Sequence, residues 1–144
     1  MNSIKGKFAL VTGGTQGLGA AIAKNFAENG AEGIITIGRK EEKGKEVAKK
    51  IQEETGCKVI FVKTDLPNVQ ECRNAVTVAK KNFGKLDILV NAAGITDRGN
   101  IVNTSEELFD KMIGTNVKGP FFLIQETVKI MIDQGIQGSI INIG

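Results

Sequence analysis

Thr12-Gly13-Gly14-Thr15-Gln16-Gly17-Leu18-Gly19 follows directly on an apolar run, Phe8-Ala-Leu-Val-Thr12, and leads into a helical repeat. Glycines gathered at a strand-to-helix junction suit one kind of chemistry, which is holding an anion on backbone amides. Gly13 permits a tight exit from the strand, while Gly17 and Gly19 withhold side chains where a phosphate and the neighbouring strand approach the helix. Free N–H groups and the positive end of the helix dipole then favour negative charge. The bland alternative is a structural loop, which the strand–turn–helix context disfavours. Arg39 stands 20 residues beyond Gly19, next to Gly38. In dinucleotide-binding folds an acidic residue at about this distance holds the adenine ribose hydroxyls. An arginine can instead clamp a ribose 2′-phosphate through charge-assisted hydrogen bonds, with glycine leaving room for it. Blandly read, Arg39 is a solvated strand-end residue paired with Glu41 or Glu42, carboxylates that could themselves serve a ribose but fit the first turn of the next helix.

Strand and helix patterns alternate along the rest of the chain. Phe8–Thr12 reads as a buried strand, and Leu18, Ile22 and Phe26 repeat at helical spacing until Asn29-Gly30. A second strand is expected over Ile34–Ile37 and a charged helix over Glu41–Glu54, with Val47, Ala48 and Ile51 as its apolar stripe. Lys58–Lys63 gives a third strand, and from Asn68 the residues Val69, Cys72, Val76, Ala79 and Phe83 mark an amphipathic helix. A fourth strand follows at Leu86–Val90. Thr104-Ser105-Glu106-Glu107 resembles a capping box opening a helix that continues through Val117, Phe121, Ile124, Val128 and Met131, with a kink expected at Gly119-Pro120. Ser139–Ile143 reads as a fifth strand. Continuous apolar strands separated by amphipathic helices imply an α/β fold: a doubly wound parallel sheet of Rossmann type, covered on both faces. With no linker or repeat, residues 1–144 read as a single dinucleotide-binding domain. Its second half has only two strands, so the sheet is expected to be incomplete on its C-terminal side and the domain truncated.

Composition removes several function classes. A net charge of +3 with scattered lysines, and no Trp or Tyr, argues against a nucleic-acid partner. The chain contains no histidine, and Cys57 and Cys72 alone match no zinc spacing, so no metal site is expected. Both cysteines read as reduced thiols, Cys72 on the inner face of its helix. The polar start, Met-Asn-Ser-Ile-Lys-Gly-Lys, lacks the apolar core of a secretion signal. The longest apolar stretch, Phe121–Ile132, is broken by Glu126 and Lys129. No membrane partner and a cytoplasmic location are the expectations.

The spacing Thr-Gly-x-x-x-Gly-x-Gly differs from the common dinucleotide fingerprint and resembles that of the short-chain dehydrogenase/reductase family. Further segments match in order. Asp65, with Leu66 after it, corresponds to the family aspartate near the adenine, and Asn91-Ala92-Ala93-Gly94 resembles the Asn-Asn-Ala-Gly signature with alanine at its second position. Asn116 corresponds to the asparagine of the family's catalytic tetrad, and Gly138-Ser-Ile-Ile-Asn-Ile-Gly144 resembles the strand leading to the catalytic serine. Singly, each has a structural alternative: Asp65 capping the helix near Asn68, Asn91 serving a turn, Asn116 disturbing its helix. Their joint order makes those alternatives improbable as a set.

The resemblance implies a cofactor cradle made of Thr12, Gly13, Thr15, Gln16, Gly17, Leu18, Gly19, Arg39, Asp65, Leu66, Asn91, Ala92, Ala93 and Gly94, with Asn116 as the catalytic member. Relatives with a Gly-Arg pair often prefer NADP, which is therefore expected over NAD. The implied reaction is hydride transfer between that cofactor and a small carbonyl or alcohol. In the family a tyrosine supplies the proton, a lysine lowers its pKa, a serine orients the substrate oxygen, and the asparagine holds a water linking the lysine to solvent. This chain has no tyrosine, and the expected serine would follow Gly144. Ser139 begins the strand at the end remote from the cofactor and is no substitute. The segment is thus expected to be part of a complete enzyme, inactive alone, with a homo-oligomeric parent assembled through the helix at Val117–Gln134. A non-catalytic nucleotide-binding or regulatory module is the competing reading. A flavodoxin-like or nucleotide-sugar enzyme shares the architecture but fits Asn91 and Asn116 poorly. Oxoacyl thioesters, sugars, polyols and steroids all remain open as substrates.

Overall fold

The computed structural model describes residues 3–144; Met1 and Asn2, part of the polar start, lie outside the described residues. Five strands, β1 (Phe8–Thr12), β2 (Gly33–Gly38), β3 (Lys58–Lys63), β4 (Ile88–Asn91) and β5 (Ser139–Asn142), form one parallel sheet in the order β3-β2-β1-β4-β5. Five α-helices alternate with them: α1 (Gly17–Glu28), α2 (Glu41–Thr55), α3 (Val69–Phe83), α4 (Glu106–Ile113) and α5 (Gly119–Asp133). The doubly wound architecture expected from the alternation is the one observed. One apolar layer joins α1 and α2 to the sheet through Val11, Ala23, Ala27, Ile34, Ala48 and Ile51. The other joins α3 and α5 through Leu10, Ile35, Cys72, Val76, Leu89 and Leu123. Packing on both faces removes most of the apolar strand surface from water, the principal force holding such a sheet.

Several local expectations are corrected. The inner face of α1 is Gly19, Ala23 and Ala27, whereas Leu18 is 54% exposed and Ile22 and Phe26 are only half-buried. Small residues lie against the sheet because the helix starts so close to β1 that nothing larger fits beneath its first turn. β4 begins two residues later than expected; Leu86 and Asp87 are buried ahead of it, with the Asp87 N–H donating to the Phe8 carbonyl and its carbonyl accepting the Ser139 N–H, each at 2.9 Å. The Asp87 carboxylate accepts the Phe8 N–H at 2.9 Å and is flanked by Lys7 and Lys85 at 3.8 and 3.6 Å. No capping box opens α4. Ser105 is the cap and accepts from Leu108 N–H at 3.2 Å, while Thr104 donates instead to the Asn100 carbonyl.

The expected kink at Gly119-Pro120 takes another form. Between α4 and α5 the helix widens into a π turn, Gly114–Lys118, in which Gly119 N–H reaches back five residues to the Gly114 carbonyl. Pro120 offers no N–H and its ring crowds the carbonyl four residues before it, so the wider turn relieves the conflict without breaking the helix. A side chain at Gly119 would sit 2.6 Å from the Leu66 carbonyl oxygen. The glycine therefore lets this turn press against the loop that follows β3.

Candidate functional site

The C-terminal ends of four strands open onto one cleft of about 270 Å³. It lies where the helices following β1 and β4 part to opposite faces, the place where open α/β sheets hold ligands. The turn after β1 forms one wall. Gly13 has φ +75°, and a Cβ there would lie 3.3 Å from Ala93, so the exits of β1 and β4 run side by side. Thr12 Oγ1 secures that arrangement by accepting the Ala92 and Ala93 N–H groups at 2.9 and 2.8 Å. Gly14 N–H donates to the Ile37 carbonyl at 3.0 Å, and a Cβ on Gly38 would fall 2.8 Å from Thr15 Cγ2. The glycine turn and the end of β2 are therefore in contact.

The first turn of α1 faces this cleft with its donors free. Gln16 precedes the helix in an extended conformation and gives no side-chain cap, and no acidic residue stands in the first turn. The N–H groups of Gly17, Leu18 and Gly19 find no acceptor among the described residues. The other helices that start from a loop are provided for: Asn68 caps α3, Ser105 caps α4, and Glu41 and Glu42 bring negative charge to the start of α2. Gly17, at φ +60°, has nothing within 4 Å of where a Cβ would stand. Unsatisfied amides, a positive dipole end and open space fit a phosphate-bearing ligand.

Thirteen of the fourteen residues expected in the cradle line this cleft: Thr12, Gly13, Thr15, Gln16, Gly17, Leu18, Gly19, Arg39, Asp65, Leu66, Ala92, Ala93 and Gly94. Arg39 is exposed at the end of β2, as the surface alternative has it, but without the ion pair to Glu41 or Glu42. No ion pair engages Arg39 among the described residues, and Glu41 instead pairs with Lys45 at 2.7 Å, a hydrogen bond that lowers the carboxyl pKa and raises that of the amine. Nor does Asp65 cap α3; Asn68 accepts the Gln70 and Glu71 N–H groups at 3.0 and 3.2 Å. The Asp65 carboxylate has no hydrogen-bond partner among the described residues; its backbone is held at both ends, the N–H donating to Glu71 at 2.7 Å and the carbonyl accepting the Asn68 N–H at 2.9 Å.

Asn91 lies elsewhere. Its side chain is buried at the end of β4, donating to Asn142 Oδ1 at 2.8 Å, while its own carbonyl oxygen is buried without a donor. With Asn116, Val117, Pro120, Phe121 and Ile124 it lines a second, more apolar groove. Asn116 sits on the π turn and holds the loop after β4 at two points, accepting Ile95 N–H at 2.9 Å and donating to the Ile95 carbonyl at 2.8 Å. Sequence reasoning missed Ile37, Thr64, Ile95 and Thr115, which also line the main cleft. Each is adjacent to a residue already singled out or ends a strand, so extending the strand-end rule by one position would have found them. Among the described residues no three potential metal ligands converge, and no helix is long and apolar enough to cross a membrane.

Residues 7–144 match the family described as short chain dehydrogenase. An "uncharacterized oxidoreductase" of Thermotoga maritima is 43% identical over 141 residues, covering 98% of this chain and 54% of the relative. L-Sorbose reductase from Gluconobacter frateurii, solved with NADPH and L-sorbose, superimposes with a TM-score of 0.92 at 31% identity, covering 97% of this chain and 52% of that one. A short chain dehydrogenase from Burkholderia cenocepacia J2315 in complex with NADP gives a TM-score of 0.87 at 34% identity, covering 98% and 56% respectively. The chain spans about half the length of the relatives it matches.

Proposed function

The chain belongs to the short-chain dehydrogenase family, and on that premise we propose that it is the NADP(H)-holding domain of an oxidoreductase that moves a hydride between this cofactor and a carbonyl or alcohol. The observation that carries the reading is the free first turn of α1, opening on the same cleft as an Arg39 that no carboxylate among the described residues engages. The amides of Gly17, Leu18 and Gly19 would hold the diphosphate, Arg39 the 2′-phosphate, and Asp65 and Leu66 the adenine side. Asn91 contributes through the scaffold, by fixing the exit of β4 from which Ala92, Ala93 and Gly94 reach the cleft. When bound, the nicotinamide supplies or accepts the hydride; the protein's part is geometry and electrostatics.

Protonating the developing alkoxide requires an acid with a suitable pKa within hydrogen-bond reach. The chain has neither histidine nor tyrosine. Acid–base chemistry is therefore assigned to residues outside these 144, and the segment alone is expected to give no turnover. Asn116 serves that chemistry by fixing the Ile95 loop beside the cleft. The substrate is a small molecule of carbonyl or alcohol class. A homo-oligomeric parent is supported by the apolar residues α5 leaves outward, and a cytoplasmic setting by the two free thiols, Cys57 and Cys72.

The test is titration of wild type and Arg39→Ala with NADPH and NADH. Loss of a charge-assisted clamp is expected to weaken NADPH by about tenfold or more and to leave NADH nearly unchanged. Equal losses for the two cofactors, or none, would count against Arg39 as the 2′-phosphate ligand.

A further inference from the structure

Arg39 is not the only cation at its end of the cleft. Lys43, in the first turn of α2, brings its Nζ to 2.9 Å from Gln16 Oε1, and Gln16 is a wall residue of the cleft. Lys43 itself stands just outside that wall. The bond spans two elements, joining the α1 cap to α2 across 27 residues of sequence. The turn carrying Gln16 touches the strand end carrying Arg39, since a Cβ on Gly38 would meet Thr15 Cγ2 at 2.8 Å. The ammonium is thus held beside the place where Arg39 emerges.

Its electrostatic setting is equally specific. The lysines around it on α2 are paired with acids: Lys45 with Glu41, Lys49 with Glu53 and Lys50 with Glu54. Lys43 forms no ion pair among the described residues, and its only hydrogen-bond partner there is a neutral amide oxygen. An amide accepts one of the three ammonium protons and cancels none of the charge. A surface lysine held this way gains little from the contact itself, whereas an anion placed between it and Arg39 would meet two uncompensated cations.

We propose that Lys43, held by Gln16, is a second specificity residue for the cofactor's 2′-phosphate, acting with Arg39 as a two-cation clamp. The proposal rests on the NADP(H) reading above. A single guanidinium would neutralise only part of a phosphate dianion, and the second cation explains why the α1 cap carries a long neutral acceptor in place of a helix-capping residue.

The experiment measures binding of NADPH, NADH and 2′,5′-ADP to wild type, Arg39→Ala, Lys43→Gln and Lys43→Arg, each at two salt concentrations. Lys43→Gln is expected to weaken NADPH and 2′,5′-ADP by about three- to tenfold, to spare NADH, and to flatten the salt dependence. Lys43→Arg should restore most of the loss, which a packing role would not do. If Arg39→Ala abolishes the preference for NADPH while Lys43→Gln leaves it intact, the clamp is wrong and the parent reading stands. If wild type shows no preference for NADPH, both fail. Equal loss of NADPH and NADH in Lys43→Gln would reduce the contact to a structural strut and overturn the proposal.

Discussion

At the scale of single residues, the glycines of the turn differ in what they do. Gly19 is a steric necessity: a Cβ there would lie 2.5 Å from the Gly13 carbonyl oxygen and press on that of Thr12 as well. Neither is a side-chain end that could swing away. Gly19→Ala is expected to cost about 1–3 kcal/mol of stability, read as a lower urea midpoint, and to abolish NADPH binding. Gly17 is a conformational necessity, at φ +60° with empty space around it. Gly17→Ala should cost about 1–2 kcal/mol through the left-handed backbone alone and still weaken NADPH, because its methyl group would enter the cleft. Unchanged binding in both variants would remove the turn from the site. The residue types at this junction were legible because glycine has few reasons to recur at such spacing. The partners of Arg39 were not legible. Glu41 and Glu42 are near it in sequence, but α2 places Glu41 four residues from Lys45 on one face, and the i,i+4 pair takes the carboxylate.

At the scale of elements, strands β1 and β3 fall where their apolar runs predict: β1 is buried along nearly its whole length, and β3, at the edge of the sheet, has a partly buried centre between exposed Lys58 and Lys63. The π turn before Pro120 was not legible as such. A proline within a helical pattern announces a disturbance, but whether the helix bends, breaks or widens depends on what packs there. Here Gly114 lies against Pro67 and Gly119 against Leu66. That contact, invisible in the local sequence, presents Asn116 to the Ile95 backbone. Asn116→Ala is expected to raise the exchange rate of the Ile95 amide by about tenfold, the worth of about 1.4 kcal/mol of local opening, with little effect on the global melting temperature. An Ile95 amide as protected as in wild type would show that the loop is held by something else. On α5, Leu123, Ile130 and Met131 are buried while Phe121 is 58% exposed, and Val117, in the π turn before it, is 55% exposed.

At the scale of the whole molecule, the chain holds its two buried thiols in the protonated form. Burial, followed by the nearby Glu71 and Asp65 carboxylates, pushes Cys72 from an ordinary 9.0 up to about 11, and burial raises Cys57 as well. The folded state therefore keeps a proton that the unfolded chain releases. This contribution to stability is intact below about pH 9 and is lost as the pH rises towards 11. Urea midpoints across that range should fall less steeply in Cys72→Ala than in wild type, and parallel slopes would refute the assignment. The fold was readable at this scale because alternation of strand and helix leaves few topologies once crossovers are right-handed. The substrate was not readable, since the residues that line the cleft are those proposed above to hold the cofactor. The central claim is that the first turn of α1 receives a dinucleotide's diphosphate, and the most direct measurement is an NMR titration of the 15N-labelled chain with NADPH. Saturable shifts are expected for the amides of Gly17, Leu18 and Gly19, together with those of Asp65, Leu66 and Ala93. Saturating NADPH that leaves those three glycine-turn amides unmoved would contradict the account.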